Sequence, residues 1–521
     1  MKTLEMFNTN QGKLPGKVCL IIPEASFLLD ARVFMTLGIL RIAAVLERAQ
    51  IQVDMLDLSG IRNFTEVVRD YARLNTDVVH FGLTATTPQL PTVKQIIKQI
   101  REFRPDAKII LGGPHVTLVN AAYKREIRLG INGRAIRAMA GLELLSDIIV
   151  VGDGEIAIFR AFEVDAPKRV DADELGSSLF LTNKLLTELP FPARHLVDID
   201  SYHYTIDGVR ALSLIAQLGC PFACGFCGGR ESNMLRKIRT RTTENIVAEM
   251  IHMYQTTGCL GFMFYDDELN VNPNMVPLMN AIAQAQVVLG VKWKLRGFIK
   301  SQLFTDEQAE VMYRAGFRWI LVGFESGSEE ILTAINKKAT RVQNTRCMEI
   351  ATRHGLKVKA LMSMGHPGET LETVKASKQW LLEVRPNDFD VSIITCYPGT
   401  PYYDQAIRAP DRGENIWVYT YPPTGAKLYQ VGIDYEETAD YYKGDPDGGY
   451  KAYVFTDTLS ADDLVRERNE LETSVRQSLG IPFNQAAAAI SYEHSMGQAG
   501  SFPRNILRQT SPAIAEIVVG V

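Results

Sequence analysis

A chain of 521 residues implies roughly three domains at about 150 residues each. Its 46% hydrophobic and 22% charged residues are those of an ordinary globular protein, which excludes a disordered, collagen-like or coiled-coil chain. The 56 basic and 60 acidic residues leave a net charge of −4, so nucleic acid is not favoured as a partner, because binding to phosphates usually needs a basic protein. No apolar run reaches the roughly 18 residues of a membrane span, and the N-terminus MKTLEMFNTNQGK has no apolar segment of a secretory signal. The expectation is a cytoplasmic multidomain enzyme or binding protein.

From Lys17 to about Phe162, strand and helix signals alternate. VCLIIPE (18–24), IQVDMLDL (51–58), DVVHFGLTA (77–85), KIILGG (108–113) and DIIVVGDGE (147–155) are strand candidates, with helical spacing between them, as in PTVKQIIKQIREF (91–103). This α/β pattern predicts a Rossmann-like parallel sheet with helices on its faces. Such sheets bind ligands beyond the carboxyl ends of their strands, here Thr84–Gln89, Gly112–Thr117 and Gly152–Glu155. Residues 163–210 read as a connector. A second series follows with ALSLIAQL (211–218), GFMFYDDE (261–268), KWKLRGF (292–298), FRWILVGFE (317–325), KVKALMSMG (357–365) and FDVSIITCY (389–397). Six βα units predict an open, partial (β/α)6 barrel over 211–408 rather than a complete eight-stranded one. The region 409–521 reads as mainly helical or irregular, with one charged helix over 460–480 capped by Ser460, and the tail 501–521 carries no clear pattern.

Seven cysteines, an odd number without a secreted context, point to metal or catalytic use rather than disulfides. Cys19, Cys259, Cys347 and Cys396 are scattered and read as small buried hydrophobes. Cys220, Cys224 and Cys227 form C-x3-C-x2-C at the end of the first strand of the second series. Ordinary four-iron clusters take four cysteines, so three thiolates would leave one iron open to a small chelating ligand. The alternative is zinc with a remote fourth ligand, although the second C-x2-C pair favoured by zinc knuckles is missing.

With this motif in this place, the stretch from about Leu212 to Ala406 resembles the radical S-adenosylmethionine (SAM) superfamily. The resemblance implies a [4Fe-4S] cluster held by Cys220, Cys224 and Cys227, with Phe226 beside it. SAM would be chelated at the open iron and cleaved by one electron to a 5′-deoxyadenosyl radical. FYDDELN (264–270) would bring Asp266, Asp267 and Glu268 to SAM, with Asp267 facing it, unless the three only cap the next helix. Glu325, in GFESGSEEIL (323–332), would reach SAM. Arg296, read at the end of the third strand, would pair with the SAM carboxylate or form a surface ion pair. His366, in SMGHPGET (363–370), is either a substrate-facing acid–base group or a satisfied loop histidine.

The N-terminal part resembles the cobalamin-binding domain of one subclass of that superfamily through MTLGILRIAAVLE (35–47), GLTATTPQ (82–89), ILGGPHVT (110–117) and VVGDGE (150–155). The resemblance places Thr84, Thr86, Gln89, Gly112, Gly113, His115, Gly152, Gly154 and Glu155 at the cofactor. The glycines would admit a flat macrocycle, unless they only make tight turns. None of the eight histidines follows an Asp by two residues, so the D-x-H-x-x-G pattern that supplies a cobalt ligand is missing, and His115 reads as a loop residue.

The domains expected are therefore a cobalamin-binding domain (1–162), a connector (163–210), a radical SAM barrel (211–408) and a substrate-side region (409–521). The resemblance implies a cobalamin-dependent C-methyltransferase. The radical would take a hydrogen atom from the substrate, methylcobalamin would supply the methyl group, and a second SAM would remethylate cobalt. The alternative is a non-methylating oxidative cyclisation or rearrangement. A methylthiotransferase would need more N-terminal cysteines than Cys19, and the intact cysteine loop speaks against a non-catalytic cobalamin carrier. Expected partners are a small-molecule or peptide substrate and an electron donor of flavodoxin or ferredoxin type, with neither membrane nor nucleic acid. Tyr402, Tyr403, Tyr419, Tyr421, Tyr435, Tyr441 and Tyr442 either line a pocket or simply pack. The basic run Arg230, Arg236, Lys237, Arg239 and Arg241 either meets an anion or begins a solvated helix.

Overall fold

The structure is a computed structural model that describes residues 16–25, 31–439, 450–482 and 505–510; Tyr441, Tyr442 and most of the tail 501–521 lie outside them. The first sheet contains β1 (Lys17–Ile22), β2 (Val53–Asp57), β3 (Val78–Thr84), β4 (Lys108–Gly112), β5 (Ile148–Gly152) and β6 (Arg169–Ala172). These six strands are parallel, in the order β2-β1-β3-β4-β5-β6. The chain runs out from β1 to β2 and returns to β3, so strand order reverses between β1 and β3, where such sheets open a crevice for ligands. Val18–Ile22 is buried throughout, as a continuous apolar run covered on both faces should be; Val53–Asp57 is buried too, with Asp54 and Asp57 paired to Lys17 and Arg32. Two features differ from expectation. The sheet extends through β6, from within the stretch read as connector, and Leu507–Gln509 of the tail pairs antiparallel with β2, setting Arg508 opposite Met55.

The second sheet is built from β7 (Thr205–Ile206), β8 (Val209–Leu214), β11 (Gly261–Phe264), β12 (Lys294–Ile299), β13 (Phe317–Glu325), β14 (Lys357–Met364) and β15 (Asp388–Ile393), with a separate short ribbon of β9 (Gln217–Leu218) and β10 (Arg239–Thr240). Six strands run parallel in the order β8-β11-β12-β13-β14-β15, and β7 closes one edge antiparallel to β8. Alternate side chains face opposite ways. Leu212, Phe262, Phe264, Leu295, Ile320 and Val322 pack with Met250, Met279 and Met312 of the surrounding helices. Ala211, Met263 and Leu321 point into the barrel beside Tyr204.

The other edge of this half-barrel, β15, would expose unpaired backbone groups. The helix Ala461–Leu479 covers it with charged side chains. Arg468 Nε donates to the Val391 carbonyl at 2.9 Å, and the Val391 N–H donates to Glu472 Oε2 at 3.1 Å. Arg476 donates to the Phe389 carbonyl and, at 3.0 Å, to Asp388. This helix begins at the expected Ser460 N-cap, which forms a capping box with Asp463. The C-terminal region also holds a four-stranded antiparallel sheet, β16 (Ile407–Arg408), β17 (Ile416–Thr420), β18 (Lys427–Val431) and β19 (Val454–Phe455), which the sequence pattern did not predict. Among the described residues no helix is long and apolar enough to cross a membrane.

The N-terminal sheet and the half-barrel are locked together. Arg239 forms a buried ion pair with Asp153 of the loop after β5. Asp173 Oδ1 accepts from Ser232 Oγ at 2.9 Å and from the Met234 N–H at 2.6 Å. Arg134 lies over the rings of Tyr403 and Trp417, 3.5 and 3.9 Å from their centroids.

Candidate active site

The three-cysteine loop follows β9 and is anchored from several elements. Gly219 begins it with φ +87°, and a Cβ there would lie 2.2 Å from the Lys237 carbonyl oxygen, so no other residue fits. The Cys220 N–H donates to the Leu235 carbonyl (3.0 Å), the Gly225 N–H to the Ile335 carbonyl (2.8 Å) and the Gly229 N–H to the Gly399 carbonyl (2.9 Å). Asn336 Nδ2 donates to the Ala223 carbonyl at 2.8 Å. Cys224 is buried, Cys220 and Cys227 are half-buried, and all three thiols are free. Burial pushes the Cys227 thiol up to about 11, Arg230 opposes that shift, and Cys224 and Cys220 add to it.

Among the described residues, no three His, Cys, Asp or Glu side chains gather around one metal-ion position. Zinc needs four donors converging on one point. A cubane takes each thiolate on a different iron, so a cluster, unlike zinc, does not require the three thiols to converge on one point. The other four cysteines are buried.

Acids and cations surround this loop. Asp266 Oδ1 accepts from the Ala216 N–H at 3.0 Å and from the Gln217 N–H, so this carboxylate holds the turn into the loop, and burial pushes it up to about 7. Asp267 keeps its side chain exposed, but the protein atoms packed around its carboxyl strip part of its hydration and raise it, while Arg230 opposes the rise. Burial likewise raises Glu268, against Lys337 and Lys300. Lys300, just past β12, is buried, with Nζ 4.1 Å from the Phe222 ring centroid. Burial lowers its ammonium pKa, as does Lys337, while Glu268, Cys224 and Cys220 favour the charge.

Glu325 ends β13 with φ +67°, an unusual conformation for a residue with a side chain. Its Oε1 accepts from Lys337 Nζ at 3.0 Å and its Oε2 from Ser363 Oγ at 2.8 Å. Burial works against its charge, but Lys337 and Ser363 hold the carboxyl below the usual range. Burial also works against the charge on Lys337, and Glu325, Glu268 and Cys224 together hold its ammonium above the usual lysine range. His366 Nε2 lies 2.8 Å from Ser363 Oγ. Ser363 spends its one proton on Glu325, so Nε2 must be the donor, and Nδ1 carries the lone pair. That Nδ1 is buried and, among the described residues, has no partner. Burial pushes His366 down to about 4, so it is neutral. Phe226 lies 5.4 Å from the His366 ring and packs on Ile331, Leu332 and Ile335.

Arg296 is not at a strand end. β12 continues to Ile299, which leaves Arg296 in mid-strand, donating to the Tyr204 hydroxyl at 2.9 Å with its guanidinium 5.5 Å from the Trp319 ring. Lys300 is the cation at the end of that strand. The basic run also divides. Arg239 and Arg241 are buried in ion pairs with Asp153 and Glu249, Lys237 is exposed, and Arg230 lies against Cys227. Tyr402 and Tyr403 are buried, and Tyr421 donates to the Thr333 carbonyl at 3.0 Å, so these tyrosines pack. Sequence reasoning missed Lys300, Lys337 and Ser363.

At the N-terminal sheet, Thr84 ends β3 opposite Gly112 of β4. Gly113 has φ +102°, and a Cβ there would lie 2.5 Å from Thr84 Oγ1 and 2.6 Å from the Ala85 nitrogen. Gly152 has φ +80° and would strike the Ala172–Asp173 peptide at 2.8 Å, while a Cβ on Gly154 would meet Ile42 Cδ1 at 2.8 Å. Gly113 and Gly152 are therefore required by their turns, whereas at Gly154 only the end of the Ile42 side chain would have to give way. Thr86 and Gln89 form a capping box, and Gln89 Nε2 also donates to the Pro23 carbonyl at 3.2 Å. His115 is buried, with Nδ1 3.0 Å from Thr87 Oγ1, and burial pushes it down to about 4. Glu155 is buried 3.7 Å from Arg41. Behind this loop face, Leu118 of the helix Pro114–Leu129 reaches the cysteine loop: a Cβ on Gly228 or on Gly399 would come within 2.9 Å of it.

Residues 31–143 match the B12 binding domain, and residues 214–381 match the radical SAM superfamily. An uncharacterized methyltransferase of Pyrococcus horikoshii is 25% identical over 404 residues, 75% of this chain and 83% of the relative. The anaerobic magnesium-protoporphyrin IX monomethyl ester cyclase of Cereibacter sphaeroides is 23% identical over 67% of this chain, which spans 56% of the cyclase. Among solved structures, the radical SAM methyltransferase TsrM of Kitasatospora setae, with cobalamin and a [4Fe-4S] cluster bound, superposes with TM-score 0.61 and 16% identity over 93% of this chain and 92% of that one. At that identity the likeness is one of fold.

Proposed function

We propose that this chain, which carries a B12 binding domain followed by a radical SAM domain, is a cobalamin-dependent radical SAM methyltransferase that methylates an unreactive carbon of a small-molecule substrate. The observation that carries the reading is the wedge of Leu118 between Gly228 and Gly399, which brings the cobalamin-type domain against the loop holding Cys227. When bound, the reduced cluster and SAM supply a carbon radical, and methylcobalamin supplies the methyl group.

The chain's own residues would do the following. Cys220, Cys224 and Cys227 would hold three irons. Glu325, kept ionised by Lys337 and Ser363, would accept from the SAM amino group, and Lys300 would face its carboxylate. Asp267, the exposed member of its acidic run, would take the nucleoside side. The turns at Gly113, Gly152 and Gly154 would admit the corrin and its tail, with Thr84 and Thr86 beside them. Neutral His115, tied to Thr87, would pack against the cofactor rather than ligate cobalt. The packed barrel interior around Arg296, Tyr204 and Trp319 would exclude water below the radical, and an external flavodoxin- or ferredoxin-type protein would supply electrons.

The test is product analysis of the anaerobic, reconstituted enzyme with candidate substrates. Methyl transfer predicts S-adenosylhomocysteine and 5′-deoxyadenosine in comparable amounts together with methylated product. 5′-Deoxyadenosine without S-adenosylhomocysteine would replace this reading with the non-methylating cyclisation that the cyclase relative represents.

A further inference from the structure

We propose that Arg230 is a positioning residue that raises the reduction potential of the iron–sulfur centre through its third ligand, an inference that rests on the cluster reading of Cys220, Cys224 and Cys227. Arg230 Nη2 lies 3.6 Å from Cys227 Sγ, within hydrogen-bond range for sulfur, and donates to the Gly228 carbonyl at 3.1 Å. The guanidinium is thereby fixed on the ligand and on the peptide that follows it. Arg236 Nη1 donates to the Arg230 carbonyl at 3.3 Å and steadies its backbone. Arg230 Nε is buried and, among the described residues, has no partner. The group is half-buried, so water screens it only in part.

The surrounding charges assign this effect to Arg230 in particular. Arg239 and Arg241, its neighbours in the basic run, are neutralised by Asp153 and Glu249. Lys337 is neutralised by Glu325. Lys300 Nζ sits over the ring of Phe222, which lies between Cys220 and Cys224 in the chain. Arg230 shares its surroundings with Asp267, which it also stabilises as a carboxylate, but it alone among these cations is within bonding distance of a ligand sulfur. One electron added to a thiolate-ligated cluster makes it more negative. A fixed cation and an N–H donor on a ligand sulfur favour that reduced state, and hydrogen bonds to sulfur and net charge are the known determinants of cluster potential. Arginine suits the position because it stays protonated and its planar fork reaches both the sulfur and the carbonyl, which a lysine ammonium does not.

The test compares wild type, Arg230→Gln, Arg230→Lys and Lys237→Gln, the last removing an exposed cation of the same run, each reconstituted anaerobically as full-length protein and titrated by EPR at poised potentials without SAM. Arg230→Gln should lower the reduced-to-oxidised ratio at a fixed potential about tenfold, which is about 59 mV for a one-electron couple. Arg230→Lys should fall between it and wild type, and Lys237→Gln should match wild type. Resonance Raman bands of the Fe–S(Cys) stretches should move in both Arg230 variants, because the N–H···S contact is lost in both. A midpoint and Raman spectrum in Arg230→Gln equal to wild type overturn the proposal, and so does an equal drop in Lys237→Gln. If Arg230→Gln fails to hold iron, the same two readouts in Arg230→Lys decide. A wild-type chain that binds no four-iron cluster would instead overturn the cluster reading itself.

Discussion

Replacing Arg239 by Met removes the cation from a pair that joins the two halves of the molecule. Arg239 and Asp153 are 1% and 2% exposed, and Asp153 also accepts from the Leu181 N–H at 3.0 Å. Arg239 further donates to the Met234 carbonyl at 2.9 Å and lies 4.7 Å from the Phe180 ring centroid. Burial already pushes Asp153 upward, and Arg239 is the main influence opposing it. Without Arg239 a carboxylate is left buried with one backbone donor, and breaking such a pair costs about 3–5 kcal/mol. For a cooperative unit of about 150–250 residues, each kcal/mol lowers Tm by about 2–4 °C, so the apparent Tm should fall by about 6–20 °C. The double change Asp153→Asn with Arg239→Met, which removes both charges, should recover most of that loss. Thermal unfolding of the three proteins at one scan rate measures this. A shift under about 2 °C in Arg239→Met, or a double variant less stable than Arg239→Met alone, would refute the reasoning.

Gly113→Ala places a methyl group 2.6 Å from the Ala85 nitrogen in a left-handed conformation, at a cost of about 1–3 kcal/mol from the backbone alone; bound cobalt should fall while iron is retained, as metal analysis of the reconstituted variant would show. Lys337→Met removes the nearest charge that keeps Glu325 ionised against burial, so SAM should bind more weakly at neutral pH and recover part of its affinity as pH rises, read by equilibrium binding to the reconstituted protein. His115 is held neutral in the fold near 4 against an ordinary 6.5. Below about pH 6.5 the unfolded chain therefore takes up a proton that the folded chain refuses, and stability drains away as pH falls towards 4, by up to about 3 kcal/mol. The stability difference between wild type and His115→Phe should accordingly turn against wild type over that interval in denaturant titrations, and a pH-independent difference would contradict it.

What could be read in the sequence follows physical lines. Parallel strands covered on both faces are continuous apolar runs, so VCLII, KIIL and ILVGF stood out and the strands of both sheets fell close to their expected places. β6, the strand Leu507–Gln509 and the C-terminal sheet did not, because strands of two to five residues are too short for alternation, and Leu507–Gln509 is defined only by a partner some 450 residues away. The cysteine loop was legible because its chemistry lies in a local spacing. Lys300, Lys337 and Ser363 were not, since their roles arise only when β12, β13 and β14 align their ends. Arg296 was misplaced by the same limit: the run KWKLRGF conceals that the strand continues to Ile299. The glycines at 113, 152 and 154 were recognised, but the contacts show that the turns demand Gly113 and Gly152 whatever ligand lies above.

The most direct test of the central claim is iron and cobalt per chain after anaerobic reconstitution with iron, sulfide and hydroxocobalamin, measured on wild type and Cys224→Ala. The account predicts about four irons and about one cobalt in wild type, with iron lost and cobalt largely kept in Cys224→Ala. Iron without cobalt would contradict the cobalamin site and remove the methyl-transfer reading, and a Cys224→Ala chain that keeps its four irons would contradict the cluster assignment.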